Sequence, residues 1–157
     1  MKAQQKISTC LWFDNSAEEA INHYVSIFKY SRLLSVTRCG DKGPGPKGSL
    51  LAATFQIEGQ EFSVINGGPA FKLSEAVSLV VNSTTQAEVD ALWDKLGDGG
   101  QYQQCGWLKD KFGLSWQIIP RVLFEMLKDP DREKAKPSHA SDAANEKDRH
   151  RAAASCV

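Results

Sequence analysis

The alternation of apolar and polar positions predicts the same order of elements twice along the 157-residue chain. In the first half, a strand, an amphipathic helix and three strands are predicted at residues 6–13, 17–28, 32–38, 49–57 and 60–66. In the second half, the same order is predicted at residues 76–81, 85–96, 101–105, 107–111 and 114–119. The pattern therefore indicates an α+β fold made of two βαβββ modules.

The two modules, at about residues 6–68 and 74–120, are predicted to form one domain over residues 1–133, with a further helix at 121–128. Two such modules can place their sheets side by side and curl them around a shared cup, with one helix behind each sheet. Side chains at alternate positions of several strands would then line the cup. The parity of each strand therefore selects the candidate pocket residues.

Local signals mark where these elements begin and end. Ser16 stands three residues before Glu19, which is the spacing of a capping box and predicts the start of the first helix. Residues 82–85 supply caps for the second helix. Gly113 separates two strand-like runs and predicts a hairpin turn, because glycine tolerates a positive φ.

The composition is that of an ordinary globular protein and narrows the function only by exclusion. Hydrophobic residues make up 41% and charged residues 24%, and the formal net charge is zero. We therefore expect neither nucleic acid nor a membrane as partner. The four cysteines form no close pair and have no histidine at ligand spacing, so free thiols and no zinc site are predicted. The predicted location is cytoplasmic.

Five separated stretches carry a resemblance to a known family: residues 9–13, 17–20 with Tyr24, 43–49, 66–69 and 105–120. Their order is similar to that of the vicinal oxygen chelate (glyoxalase/bleomycin resistance/dioxygenase-like) superfamily. Within it they resemble the PhnB-like branch, catalogued as the 3-demethylubiquinone-9 3-methyltransferase domain family. The resemblance covers residues 6 to about 133 and implies a glyoxalase-like fold, with a curved mixed sheet around a cup, and a homodimer.

The resemblance also implies where metal ligands would lie. Metal-dependent members place them on the first, fourth, fifth and last strands, which correspond here to Ser8, residues 62–64, Ala76 and Gln117. A divalent metal needs several strong nitrogen or oxygen donors at about 2.0–2.6 Å. Hydroxyl, methyl and amide groups do not supply such a set, so we predict no metal.

The methyltransferase label of the family fits these residues poorly. A typical S-adenosylmethionine-dependent enzyme has a glycine-rich turn directly after the first strand of a βαβ unit. Here residues 14–16 (Asp-Asn-Ser) follow the first strand, and the glycine-rich stretch at 40–48 lies between two strands. No cofactor is predicted, and whether the protein is an enzyme stays open.

Parity and the resemblance together select candidate site residues. Seven are predicted to line a ligand pocket: Ser8, Cys10, Trp12, Asn66, Trp107, Ser115 and Gln117. For each tryptophan, packing in the core or a dimer interface is the alternative. Asn66 could instead stabilise its turn, while Trp116, of opposite parity to Gln117, is predicted to pack against a helix.

Three residues are candidates for catalysis: Gln117, Asp110 and Cys105. Asp110 could act as an acid or base beside Lys109 or Lys111, or it could cap the hairpin backbone. The functions left open are a metal-free enzyme, a protein that only binds or sequesters a small aromatic or apolar molecule, and a metal-dependent lyase or dioxygenase of the same superfamily.

Residues 134–157 change abruptly in composition to alanine, charged residues and serine, which predicts a disordered tail. A frameshift is the alternative origin of this tail. Among the codon strings that the degenerate code permits for residues 142–151 is GAT GCT GCA AAT GAA AAA GAT CGA CAT CGC. Read one nucleotide later, this string encodes Met-Leu-Gln-Met-Lys-Lys-Ile-Asp-Ile, the amphipathic helix that the family resemblance implies.

Sequencing the gene tests the frameshift. We expect one of the shifted reading frames to encode an amphipathic helix rich in Met, Lys, Ile and Leu downstream of residues 134–137. Codons that give no such helix in either shifted frame would establish the tail as a natural segment.

Overall fold

The computed structural model describes residues 5–121. The chain divides into two compact units, Met1–Leu73 and Ser74–Val157. The predicted helix at 121–128 lies outside the described residues apart from Arg121, and so does the 134–157 tail with its frameshift hypothesis.

Unit 1 is a four-stranded mixed sheet with one helix. Its elements are β1 (Thr9–Phe13), α1 (Ala17–Ile27), β2 (Arg32–Arg38), β3 (Leu50–Ile57) and β4 (Gln60–Asn66). The strand order is β1-β4-β3-β2. The first and last strands pair in parallel and the other neighbours are antiparallel.

Unit 2 repeats this architecture. Its elements are β5 (Ser78–Ser83), α2 (Gln86–Gly97), β6 (Gln101–Tyr102), β7 (Trp107–Lys109) and β8 (Ser115–Pro120). The strand order is β5-β8-β7-β6, again with a parallel pair formed by the first and last strands. The predicted α+β fold of two βαβββ modules is therefore confirmed.

The core of unit 1 lies between α1 and one face of its sheet. Ile21 and Tyr24 on the inner side of the helix are almost completely buried. The Tyr24 and Phe55 rings stack with centroids 6.4 Å apart, and Phe55 stacks on Phe62 at 5.5 Å. Such offset pairs stabilise beyond the area that they bury. The opposite face of the sheet has no helix over it in the described residues of this unit.

The core of unit 2 is built in the same way from α2 and the apolar parity of β7 and β8. Leu96 of the helix and Leu108, Trp116 and Ile118 of the strands are each at most 2% exposed. Trp116 therefore lies on the helix side of the sheet, as its parity predicted. Among the described residues, no helix is long and apolar enough to span a bilayer.

The start of α1 is stabilised by a distant residue, which the capping-box prediction missed. The Ser16 side chain makes no capping hydrogen bond. Asn66 at the end of β4 accepts a hydrogen bond from the backbone N–H of Ala17 at 2.9 Å, and its amide donates to the carbonyl of Leu50 at 2.9 Å. Because strand β4 brings Asn66 to the helix start, one side chain ties together α1, β3 and β4.

The second helix begins as predicted, whereas the strand that follows it is shorter than predicted. Thr85 caps α2 by accepting a hydrogen bond from the N–H of Glu88 at 3.2 Å. Strand β6 is shorter than the predicted 101–105, because Cys105 and Gly106 adopt positive φ values of 62° and 76° and turn the chain into β7. Any Cβ at Gly106 would lie 2.8 Å from the carbonyl oxygen of Ile118, so only glycine fits there.

The Asn66→Ala variant tests this tie. It removes both hydrogen bonds and leaves two backbone groups unsatisfied, so we expect it to lower the free energy of unfolding by about 2 kcal/mol. Ser16→Ala is the matched control and should change it by less than about 0.5 kcal/mol. Urea denaturation of both variants measures the difference. Equal losses of unfolding free energy would instead support the capping box predicted at Ser16.

Candidate functional site on the helix-free sheet faces

We call the side of each sheet that faces away from its helix the helix-free face. In unit 2 the strand register places on it Ser78, Val80, Gln101, Trp107, Lys109, Ser115 and Gln117. Three of the predicted pocket residues, Trp107, Ser115 and Gln117, therefore share one face. Ser115 is paired across the strands with polar Ser78 and Lys109, whereas Gln117 is paired with Val80 and Trp107.

Gln117 lies at the centre of this face. Its Nε2 donates a hydrogen bond to the Ser78 hydroxyl at 2.7 Å, which fixes the amide across the parallel pair of β5 and β8. On its other side, Gln117 is paired in register with half-buried Trp107. An indole beside an oriented amide and hydroxyl can hold a molecule that has both an apolar surface and a hydrogen-bonding group.

Ser115 is the buried polar residue of the same face. It is 1% exposed, and its hydroxyl has no hydrogen-bond partner. It is paired in register with Ser78 on one side and Lys109 on the other. A buried hydroxyl without a partner costs about 1–3 kcal/mol, so this position favours an additional polar group beside it.

An ion pair crosses this face. The Lys109 ammonium on β7 contacts the carboxylate of Glu75, which precedes β5. The hydrogen bond from Lys109 lowers the pKa of Glu75 below its usual value. Gln103 also donates to the Glu75 carboxylate at 3.5 Å. Lys109 is paired in register with Ser115, so the ion pair begins beside that residue.

Both carboxylate oxygens of Asp110, in the β7–β8 hairpin, accept hydrogen bonds from groups of the same hairpin. One oxygen accepts hydrogen bonds from the N–H groups of Phe112 and Leu114 at 2.9 and 3.0 Å. The other accepts from the indole N–H of Trp116 at 2.9 Å. The residue is 3% exposed, and Lys109 pairs with Glu75 instead. This arrangement supports the hairpin-capping alternative rather than an acid or base.

The helix-free face of unit 1 carries two more of the predicted pocket residues, Cys10 and Trp12. The register extends their rows through β4, β3 and β2 to Ile65 and to small or hydroxyl side chains: Ser35, Thr37, Ala52, Thr54 and Ser63. The Ser35 and Thr54 hydroxyls are hydrogen-bonded at 2.6 Å.

The indole of Trp12 is held in place. Its N–H donates to the carbonyl of Gly68 at 2.9 Å, and its ring lies where a Cβ on Gly67 would be. The exposed ring of Phe71 meets it edge-on, with centroids 5.0 Å apart. Glycine at 67 is therefore required by the close approach of the indole.

The remaining candidates are placed elsewhere. Ser8 precedes β1 and is exposed, and Asn66 lies on the helix side with both ends of its amide in use. Cys105 is disulfide-bonded, whereas Cys10 and Cys39 are free, so the prediction of four free thiols is wrong at Cys105. Its spacing from the other cysteines gave no sign of pairing, because such pairing depends on tertiary structure.

Sequence reasoning missed Ser78, Glu75 and Phe71 as neighbours of the candidate residues. Ser78 comes next to Gln117 only through the register of β5 with β8. Glu75 and Phe71 lie outside the strands, where parity says nothing. The one available signal was the parity of Ser78 in a strand that pairs with β8.

The sequence matches the model of a family described as 3-demethylubiquinone-9 3-methyltransferase over residues 5–119. The chain belongs to this family. No curated protein matches it.

Solved structures similar to this chain include one whose name carries the description of the same family. A PhnB protein from Bacillus cereus, whose name carries the same methyltransferase label, is 38% identical, with a TM-score of 0.67 over 72% of this chain and 97% of that one. Protein PA1353 from Pseudomonas aeruginosa is 20% identical, with a TM-score of 0.57 over 71% and 95%. A glyoxalase/bleomycin resistance protein from Albidiferax ferrireducens T118 is 14% identical, with a TM-score of 0.44 over 71% and 95%.

The residues at the positions that correspond to superfamily metal ligands do not fit a divalent metal. Ser8 and Ala76 are exposed and lie outside the strands, and residues 62–64 offer only the Ser63 hydroxyl on the helix-free face. Gln117 donates to Ser78. Within residues 5–121 there is no group of three or more His, Cys, Asp or Glu side chains placed to hold a metal ion.

The Asp110→Asn variant tests the structural role of that carboxylate. The amide nitrogen must face one of the N–H donors, so we expect the free energy of unfolding to fall by about 2 kcal/mol or more. The emission of Trp116 should also shift, since its indole loses an ionic acceptor.

Asp98→Asn, at an exposed position after α2, is the matched control for the loss of one charge and should have little effect. If Asp110→Asn folds with wild-type stability but loses an activity, the carboxylate acts in chemistry and the structural assignment fails.

Proposed function

We propose that this member of the family binds a small organic molecule, with an aromatic or apolar body and a hydrogen-bonding group, on its helix-free sheet faces without a metal. The observation that carries the proposal is the group formed by Ser78, Gln117 and Trp107, in which an amide oriented by the Ser78 hydroxyl is paired in register with an indole. The superfamily resemblance implies a metal ligand at Gln117, and a neutral amide there favours recognition by hydrogen bonding.

Binding without turnover, as in a sequestering protein, is the form that the residues support best. Asp110 has its oxygens committed to the hairpin, and reaction at Cys105 would first require reduction of its disulfide. Of the catalytic candidates, this leaves Gln117, whose amide can donate and accept hydrogen bonds but has no titratable proton for acid–base catalysis.

We do not propose methyltransferase activity for this chain, although the family is described by that name. Residues 14–16 connect β1 to α1 and residues 84–85 connect β5 to α2, and neither connection is the glycine-rich turn of a typical S-adenosylmethionine site. The cytoplasmic location stays a prediction from sequence.

A homodimer is proposed from the family resemblance, and the edge strand β2 supports it. Leu33, Leu34 and Val36 are 46%, 39% and 37% exposed on this strand. In the described sheet β2 pairs with β3 alone, and such an apolar edge is a ready site for pairing with a second chain.

Ligand binding is tested by tryptophan fluorescence against a panel of small aromatic and apolar molecules, with zinc added and with chelator added. We expect binding that is independent of both additions. Gln117→Ala should weaken it by about 0.5–1.5 kcal/mol, because one neutral hydrogen bond is lost. Gln60→Ala, exposed in the other unit, is the matched control and should bind as wild type.

Two results would overturn this proposal. Tight, stoichiometric binding of zinc or nickel, or loss of ligand binding in chelator, would establish a metal-dependent member of the superfamily. Turnover of a bound molecule that disappears in Gln117→Ala while the fold is intact would establish an enzyme instead of a binding protein.

A further inference from the structure

We propose that the molecule recognised by unit 2 is a small carboxylate. Lys109 and Ser115 would receive the carboxylate, and Trp107 the apolar body. This inference rests on the proposed function and adds to it the chemical class of the ligand. It also gives Glu75 a role: in the free protein its carboxylate would bind Lys109, and the ligand carboxylate would replace it there.

The unpartnered hydroxyl of Ser115 is the first observation. The side chain is 1% exposed and lies in register between Ser78 and Lys109. Ser78 already accepts the hydrogen bond from Gln117. A buried donor without an acceptor is unfavourable, so an acceptor oxygen brought beside Ser115 would gain the full hydrogen bond.

The ammonium of Lys109 is the second observation. It extends from β7 over the helix-free face and contacts Glu75, which lies before β5 on the far side of β8. A carboxylate is thus already bound at Lys109, and it belongs to a side chain outside the strands that makes no hydrogen bond with Ser115.

The Glu75 carboxylate is held loosely enough to be exchanged. Its side chain is 47% exposed, against 25% for that of Lys109, and its further contact to Gln103 is long at 3.5 Å. Exposed ion pairs contribute little to stability. A ligand carboxylate that also reaches Ser115 would supply the acceptor that Glu75 does not, since the Ser115 hydroxyl accepts and donates no hydrogen bond now.

The neighbouring row provides the apolar contact. Trp107 precedes Lys109 by two residues on the same face, and Val80, paired with Gln117, is 46% exposed. Residues two apart along a strand are separated by about 7 Å. The arrangement fits an acid whose ring is joined to its carboxylate by a short spacer, with the ring on Trp107 and the carboxylate at Lys109.

The test compares 3-phenylpropionate with its neutral isostere 3-phenylpropanamide at neutral pH and low salt. Binding is followed by calorimetry and by the NMR shift of the Trp107 indole N–H. We expect the wild type to prefer the carboxylate. Lys109→Met should lower the affinity for the carboxylate at least about threefold, and Glu75→Gln should raise it by a similar factor, because the competing carboxylate is gone.

The opposite signs of these two variants separate a binding site from a merely structural ion pair. Both variants break the pair, so a structural role would move stability and binding in the same direction. Ser115→Ala should weaken the binding of 3-phenylpropionate more than that of 3-phenylpropanamide. Lys95→Met, at an exposed position of α2, removes the same charge and should leave the preference unchanged.

Each remaining outcome counts against the inference in a recognisable way. If both probes bind equally in wild type and Glu75→Gln, the choice of a carboxylate is wrong while the proposed binding function stands. If neither probe binds in either protein and a metal-free ligand is found in the fluorescence panel, the ligand class alone fails. If that panel also gives no ligand, both proposals fail.

Discussion

The parallel pairing of the first and last strands in each module is the constraint on which the rest of the structure depends. β1 can pair with β4, and β5 with β8, only after a helix has returned the chain along one face of the sheet. That face becomes the core. The other face is left to side chains of opposite parity, so the same pairing that builds the hydrophobic core also collects the polar and aromatic residues of the candidate site.

Much of the fold could be predicted because periodicity is a local property. The bounds of β2 and β4 agree with the predicted strands residue for residue, and the two helices shift by one residue at most at each end. β6 was overestimated because the left-handed turn at Cys105 and Gly106 depends on a contact with Ile118. The cap of α1 was misassigned for the same reason, since Asn66 is distant in sequence and reaches the helix start only through the pairing of β4 with β1.

The residues of the candidate site also divide into those that parity predicts and those that depend on contacts between distant parts of the sequence. Parity alone put Cys10 with Trp12, and Ser115 with Gln117, on faces away from the helices. It could not supply Ser78 or the ion pair of Lys109 with Glu75, which exist only through the register of three strands. Nor could it choose between two uses of the Asp110 carboxylate. That choice is made by burial and by the three N–H groups that point at it.

The donors on the helix-free face of unit 2 limit what the protein can do to a bound molecule. A metal polarises a carbonyl as a Lewis acid, whereas Gln117 and the serines offer neutral hydrogen bonds and Lys109 one ammonium. Well-placed donors of this kind can also stabilise a developing oxyanion, by about 3 kcal/mol each. The proposed function uses them for recognition, because Gln117 and the serines have no titratable proton for acid–base catalysis.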